Sequence, residues 1–498
     1  MICVFDALFP IIGFVLCAIF TSSVVKAARA RKSITIMFGW FVTVFAVAAV
    51  TVTSLALKYY EQASIQPFVT LTLVEQPLTM FSSAFMIDAI SVYMAIVFTI
   101  LGAVVFLYSI FYIDSEEAFS GRYLSIMLLV IGCIMGATFS GDFMTLFIFW
   151  EASTAGSCFL MLYRRNSKSL YSTLKFLIMM IMASAFIIYG LSIVYGVTGT
   201  LNFWAVKQAL TSLQDKHIII IAFVFIAAGY AIEAAIVPFH TWLPDAYTSA
   251  PASSSAFLSA LIDQGSYYVL LRILIYILTP PTVLEWTMML AILSALSMIV
   301  GNILALNQIN VKRLIAYICI ADVGYNLVAI TSVTPLGIMG NLYFFLIGGL
   351  TTALSFMVVG NFNRMGFETL DDFSGLGRKA PITSLALLIG VFSFAGIPPL
   401  GGFIAKYLVF TAAIEANMTW LAIIGVLTSV IQTAYLLRLI NSMYGRPLKE
   451  GEIRLKESRK LLVPVFLLVG AIVLFGIFPS LVLNLIEPVI QELPLLPG

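Results

Sequence analysis

The chain has 498 residues, of which 61% are hydrophobic and only 10% charged, with a net charge of +2 and a mean hydropathy of +1.06. A soluble globular domain carries roughly 25% charged residues, so this composition excludes a water-facing surface and makes lipid the solvent. A nucleic-acid partner is excluded as well, because it would need a basic face to meet many phosphates.

In chain order, the first apolar run, Ile11 to Phe20, is followed by the charges of Lys26–Arg31 and has no basic stretch before it. It reads as a retained first membrane helix and not as a cleaved signal. A crossing helix needs about 20 mostly apolar residues, and by that criterion the chain divides into about fourteen spans. They lie near 3–25, 34–57, 86–113, 123–140, 142–163, 174–196, 218–238, 252–279, 283–306, 314–334, 335–359, 382–399, 403–440 and 461–483. The 403–440 stretch is too long for one straight crossing; it reads as the second half of a broken helix followed by a complete one. The expected fold is therefore all-α and polytopic.

Cys3, Cys17, Cys133, Cys158 and Cys319 sit singly in apolar runs with no CxxC spacing, so neither an iron–sulfur cluster nor a disulfide framework is indicated. No cofactor or metal is expected in this chain. No segment is large enough for a water-soluble domain, so any redox or nucleotide site would belong to other subunits.

Lys and Arg are unevenly shared between the loops. One set carries Lys26, Arg29, Arg31 and Lys32, then Arg164, Arg165 and Lys168, then Lys312 and Arg313, then Arg364, Arg378 and Lys379. Its last loop holds Arg446, Lys449, Arg454, Lys456, Arg459 and Lys460. The other set has only Lys58, Lys207 and Lys216. Basic loops stay inside, which places both termini on the outer face of a cell inner (plasma) membrane.

Two spans are interrupted by proline: Pro238 in AIEAAIVPFHTWLPDA and Pro398–Pro399 in SFAGIPPLGGFIAKY. Proline removes a backbone hydrogen bond and breaks a helix near its own position. Freed carbonyls inside lipid are tolerated only where they face protein or a polar cavity. One break in each half suggests an internal repeat of discontinuous helices, against the alternative of two ordinary kinks.

Ionisable groups inside spans cost about 3 kcal/mol or more and mark function by default. Glu151 follows the apolar LFIFW and precedes small residues. Glu233 lies five residues before Pro238. Ser255, Ser259, Asp263 and Ser266 share one helical face, which fits either a hydrated wire or a serine packing face. Asp322 lies inside AYICIADVGYN, and Lys406 follows the second break. Lys175 opens the sixth span, where it either takes part in the path or snorkels to the interface. His240 follows the first break, where its reference pKa near 6.5 suits proton exchange. Together these acids and bases form a candidate relay for protons or sodium ions.

The segments SGDFMTLFIFWEAST, FHTWLPDAYTSAP, KRLIAYICIADVGYN and FSFAGIPPLGGFIAKY resemble the antiporter-like membrane subunits. That family spans respiratory complex I, the Mrp cation/proton antiporters and archaeal membrane-bound hydrogenase, sulfane reductase and F420H2 dehydrogenase complexes. The resemblance covers most of the chain. It implies fourteen helices with two inverted five-helix repeats around the broken helices, here 120–279 and 283–445, preceded by N-terminal helices over 1–113 and followed by a loop and C-terminal helix over 446–498. It also implies partners: the other membrane subunits of an ion-translocating complex whose redox centres lie elsewhere. In the family, ions pass through a glutamate on the fifth helix and lysines on the seventh, eighth and twelfth. Glu151 matches the first and Lys406 the last, and Lys175 resembles a sixth-helix lysine. Glu233 stands where the family has lysine before the break, Gln264 where it has the eighth-helix lysine, and Asp322 where it has histidine. The departures leave three readings open: an acid–acid pair of Glu151 and Glu233 sharing a proton, a sodium ion held by those oxygens, or a first half that no longer translocates.

Overall fold

The computed structural model describes residues 4–31, 33–63, 69–72, 84–113, 119–212, 217–277, 286–446 and 457–492. Cys3, Lys32, Lys216, Lys449, Arg454 and Lys456 lie outside these. The chain begins with α1 (Val4–Ala30) and α2 (Ile34–Ala63), then β1 (Val69–Thr72) and β2 (Ala84–Ile87). Next come α3 (Ala89–Tyr112), α4 (Ser120–Thr138), α5 (Phe143–Met161), α6 (Ser167–Thr198) and α7 (Phe203–Ser212). The first break separates α8 (His217–Glu233) from α9 (Leu243–Ser249). α10 (Ala252–Phe257) and α11 (Asp263–Leu271) are joined through a π-turn, Leu258–Ile262. They are followed by α12 (Trp286–Leu306), α13 (Val311–Ser332), α14 (Pro335–Arg364) and α15 (Leu376–Lys379). The second break separates α16 (Pro381–Ala395) from α17 (Gly401–Glu415). The chain ends with α18 (Thr419–Ile440), α19 (Arg459–Ile477) and α20 (Ser480–Glu492).

Among the described residues, twelve helices are long and apolar enough to cross a membrane: α1 to α6, the α10–α11 unit, α12, α13, α14, α18 and α19. α8 and α16 are shorter apolar helices. α10–α11, α13 and α14 are buried on all sides, whereas α1, α2, α6 and α19 show Phe5, Val50, Ile178, Ile181 and Phe466 outward. An outward apolar ring around a buried, polar-dotted centre is the pattern of a bundle solvated by lipid.

Helix starts follow local chemistry. Asp88 caps α3 in a capping box with Ser91. Asp142 caps α5, Asn166 caps α6, Asn310 caps α13 and Thr334 caps α14; a side-chain oxygen there satisfies an N–H that has no helical partner.

Several expectations need correction. Within the all-helical fold, the described residues include a short antiparallel pairing of β1 with β2 that was not expected. The span expected from 86 therefore begins at Ala89. The first break opens at Glu233 itself, before Pro238, because Ala235 takes a left-handed φ of 52° that a helix cannot continue through. The second opens at Ala395, where Gly396 has φ 73°. The region expected to hold one C-terminal helix holds two, α19 and α20. The long 403–440 stretch is divided as its length implied, into α17 and α18.

Both chain ends meet the end of α2. Lys58 pairs with Asp6 at 2.7 Å, and Tyr59 donates a hydrogen bond to Glu492. This is the terminal face; the opposite, basic face holds Arg164, Arg313, Arg364 and Arg446. The two halves repeat one backbone device at opposite faces. Before α5, Phe143 N bonds Leu201 O at 3.0 Å and Phe203 N bonds Gly141 O at 3.1 Å. Before α13, Val311 N bonds Glu368 O at 3.0 Å and Leu370 N bonds Ile309 O at 2.9 Å.

Candidate ion-translocation site

In the first half, α5 meets the broken end of α8. The Trp150 indole donates to the Glu233 carboxylate, while the other oxygen, Oε1, has no partner among the described residues. Glu233 is only 3% exposed. The next residue, Glu151, accepts from Ser184 Oγ on α6 at 2.6 Å. The two carboxylates thus lie on either side of one Trp–Glu step. Gly265 on α11 makes room for the Trp150 ring, since a Cβ there would approach it to 2.8 Å.

Groups freed by the break are taken up by side chains, as lipid requires. Trp242 Nε1 donates to Ile232 O at 2.9 Å, and Ser297 Oγ on α12 accepts from Val237 N at 3.1 Å.

Asp263 accepts a hydrogen bond from Tyr247 on α9. The serines expected in line with it turn largely to backbone: Ser255 Oγ donates to Tyr247 O at 2.7 Å, and Ser259 and Ser266 donate to carbonyls of their own helix. Gln264 lies beside Gly348 of α14, where an added methyl would sit 3.7 Å from its Nε2, and its Oε1 has no partner among the described residues.

In the second half, the ammonium of Lys406, 6% exposed, donates to Phe394 O at 2.8 Å, Ser429 Oγ at 3.2 Å and Gln432 Oε1 at 2.5 Å. It also lies 4.4 Å from the Tyr325 ring centroid, an attractive placement for a cation. Phe394 is in the last turn of α16, where carbonyls lack helical partners and favour a positive charge. Gly402 allows α17 to start so close, since a Cβ there would fall 1.9 Å from Ser393 O. A cavity of about 20 Å³ is lined by Asp322, Gly348, Thr351, Ser393 and Lys406. A space of about 15 Å³ or more admits one water.

The structure brings Glu151 together with Glu233, and Asp322 together with Lys406. It does not bring Lys175 or His240 to either group. Lys175 donates to Asp245 Oδ2 and to Thr241 O, each at 2.7 Å, and Asp245 also holds Arg313 at 2.9 Å. His240 is half-buried in the turn Phe239–Trp242, with Nδ1 unpartnered among the described residues. Pro238, Pro398 and Pro399 lie exposed at the breaks.

Sequence reasoning missed three features. Lys312, read as a loop charge, is the second residue of α13, 2% exposed, and donates to Ala250 O and Thr248 O. Asp245 stood unremarked inside the HTWLPDA string. Asp88 also went unremarked; it forms a fully buried pair with Arg272 at 3.2 Å. No His, Cys, Asp and Glu trio that could hold a metal occurs among the described residues; the site is one of single acids and bases.

Residues 140–432 match the model of the NADH:quinone oxidoreductase/Mrp antiporter transmembrane family, more than half of the chain. The chain belongs to that family. It is 32% identical over 416 residues to an NADH-quinone oxidoreductase subunit N of Trichlorobacter lovleyi, covering 82% of this chain and 85% of the relative. It is 30% identical over 469 residues to the F(420)H(2) dehydrogenase subunit N of Methanosarcina mazei, covering 89% and 90%. In fold it matches a chain of the membrane-bound sulfane sulfur reductase, an archaeal respiratory membrane complex, with TM-score 0.85 at 22% identity over 98% of this chain and 97% of that one. As an antiporter-like membrane subunit, the chain has Glu151 and Glu233 beside the first break in its helices and Asp322 and Lys406 beside the second.

Proposed function

We propose that this antiporter-like subunit translocates protons or sodium ions as one membrane subunit of a larger assembly, either a redox-driven complex of the respiratory type or an Mrp-type complex. Asp322 and Lys406 on one cavity at the second break carry this reading: an acid and a base lining one space that admits a water can exchange an ion without a bulk channel. Energy would arrive as a conformational or electrostatic change at a neighbouring subunit and pass between the two halves through Asp263 and Gln264.

The architecture proposed with it is fourteen crossings, the twelve candidate spans plus the broken α8–α9 and α16–α17 counted as one each, in two inverted five-helix repeats over 120–279 and 283–445. The matched backbone bonds before α5 and α13, placed at opposite faces, support that symmetry. The basic face would be cytoplasmic, leaving both termini outside the plasma membrane.

A second reading is favoured by Glu233 and Gln264: a structural subunit that keeps the fold without a complete path. Glu233→Lys and Gln264→Lys, assayed for ion uptake in vesicles holding the assembled complex, separate the two. A working variant path loses coupling on either change; a spacer leaves uptake as it was, which overturns the proposal.

A further inference from the structure

Towards the terminal face, α11 presents polar groups that the midplane pairs do not use. Gln264, Tyr268 and Arg272 recur every four residues and so share one helix face. Arg272 Nη1 donates to Tyr268 Oη at 2.8 Å and to Asp88 Oδ1 at 3.2 Å. Asp88 caps α3, and its second oxygen, Oδ2, is buried without a partner among the described residues. The next residue, Ala89, donates its N–H to Glu492 Oε2 at 3.0 Å, and Tyr59 donates to the other Glu492 oxygen. Two carboxylates therefore meet at one helix start, Asp88 dry and Glu492 half-buried at the edge.

Stability does not account for this cluster. A buried ion pair is often no better than apolar residues of similar volume, and an unpartnered buried oxygen costs about 1–3 kcal/mol. Arg272 keeps its charge throughout and carries no proton itself, but it engages Oδ1 of Asp88 and leaves Oδ2 open.

We propose that Asp88 and Glu492 form the proton-exchange site on the terminal face, with Arg272 as the fixed charge that orients Asp88. This rests on the translocation reading above. Glu492 takes up the proton and releases it to water, and its carboxylate returns to its starting state, while Asp88, held by Arg272, stays the charge beside it. Arg272 lies eight residues beyond Gln264, about 12 Å along the helix, so one helix links the midplane to the exchange site.

Glu492 lies outside the crossing helices, and its carboxyl is pushed up to about 7. Burial is the main cause; the Asp88 charge adds to it, and the hydrogen bonds from Tyr59 and Ala89 oppose it. Among the described residues, the titratable groups facing it are Tyr59 and Tyr60 of α2 and Asp88, with Arg272 reaching the cluster through Asp88. The start of α14 and the end of α19, packed on α20, carry no charged residue. A carboxyl titrating near neutrality suits release at neutral pH.

The test is ion uptake by the assembled complex in vesicles while the pH on the terminal face is varied. Glu492→Gln is expected to cut proton translocation about 100-fold and to flatten the dependence around pH 7, with Glu492→Asp restoring it. Tyr59→Phe removes a bond that favours the ionised form, so the midpoint is expected to move up; this variant decides the matter if Glu492→Gln fails to assemble. An unchanged profile in Glu492→Gln, or an unmoved midpoint in Tyr59→Phe, overturns the proposal. Lys406→Ala keeps the two readings apart. If it abolishes uptake while the pH profile survives Glu492→Gln, only the exchange site falls; if it has no effect, the translocation reading falls first.

Discussion

Asp322 and Lys406 line the same cavity of about 20 Å³, yet they make no ion pair within 4 Å, because the Lys406 ammonium is turned to Phe394 O, Ser429 and Gln432. The ammonium has neutral acceptors on one side, and the Asp322 carboxylate lines the same cavity. A rotamer change of the long lysine side chain would swap one set for the other.

Gln432 is one of the three acceptors to which the Lys406 ammonium turns, and the one at 2.5 Å. Gln432→Ala should let the lysine collapse onto Asp322 and trap the charge, slowing ion uptake about tenfold, which is about 1.4 kcal/mol on the barrier. Gln432→Glu should trap it on the other side and slow uptake similarly. Uptake rates in vesicles with matched protein content check this; wild-type rates in both variants would contradict it.

Among the described residues Trp150 is the hydrogen-bond donor to Glu233, and Gly265 gives its ring room. Trp150→Phe should leave the buried carboxylate without that bond and destabilise the protein by about 1–3 kcal/mol. Gly265→Leu should displace the ring and produce a loss of the same kind. Thermal unfolding in detergent reads both; an unshifted transition in Trp150→Phe would show that the bond does not hold Glu233.

The Arg272–Asp88 pair is at most 1% exposed on either side chain. Removing one partner of a buried pair costs about 3–5 kcal/mol, because the other charge is left behind. Arg272→Met and Asp88→Asn should each lower stability strongly, and the double variant should be less harmful than their sum. Additive losses in the cycle would mean the two charges do not interact.

At the basic face, magnitudes separate two neighbours. Asp245 is 22% exposed, with partners Lys175 at 29% and Arg313 at 36%, and exposed pairs contribute about 0–1 kcal/mol each. Lys312 is buried on two carbonyls, which would be left unsatisfied at about 1–3 kcal/mol. Lys312→Met should therefore destabilise more than Asp245→Asn. The reverse order in thermal unfolding would contradict that account.

Much of this architecture was legible in the sequence because lipid imposes a simple rule: long apolar runs cross, and charges within them stand out. Glu151 and Lys406 are conspicuous against LFIFW and GGFIA, and Pro238 and Pro398–Pro399 flag the breaks. Less was legible where meaning comes from tertiary contact. Lys312 beside Arg313 looks like an ordinary basic loop until α13 is seen to start one residue earlier. Asp88 and Arg272 are far apart in the chain, and no periodicity pairs them. β1 and β2 are too short to rise above an apolar background, and α20 was merged with α19 because the Phe478–Pro479 break between them has no charged loop to mark it. Glu233 was placed before the break on the strength of Pro238, whereas the left-handed turn at Ala235 puts it at the helix end.

The central claim is that buried acids and bases beside the two broken helices move ions. Its most direct test is proton and sodium uptake into vesicles holding the assembled complex, for wild type, Lys406→Ala and Glu151→Gln, each confirmed to be incorporated. Both variants should lose coupled uptake of the translocated ion while the complex stays intact. Full coupling in both would contradict the account and leave this chain a membrane scaffold.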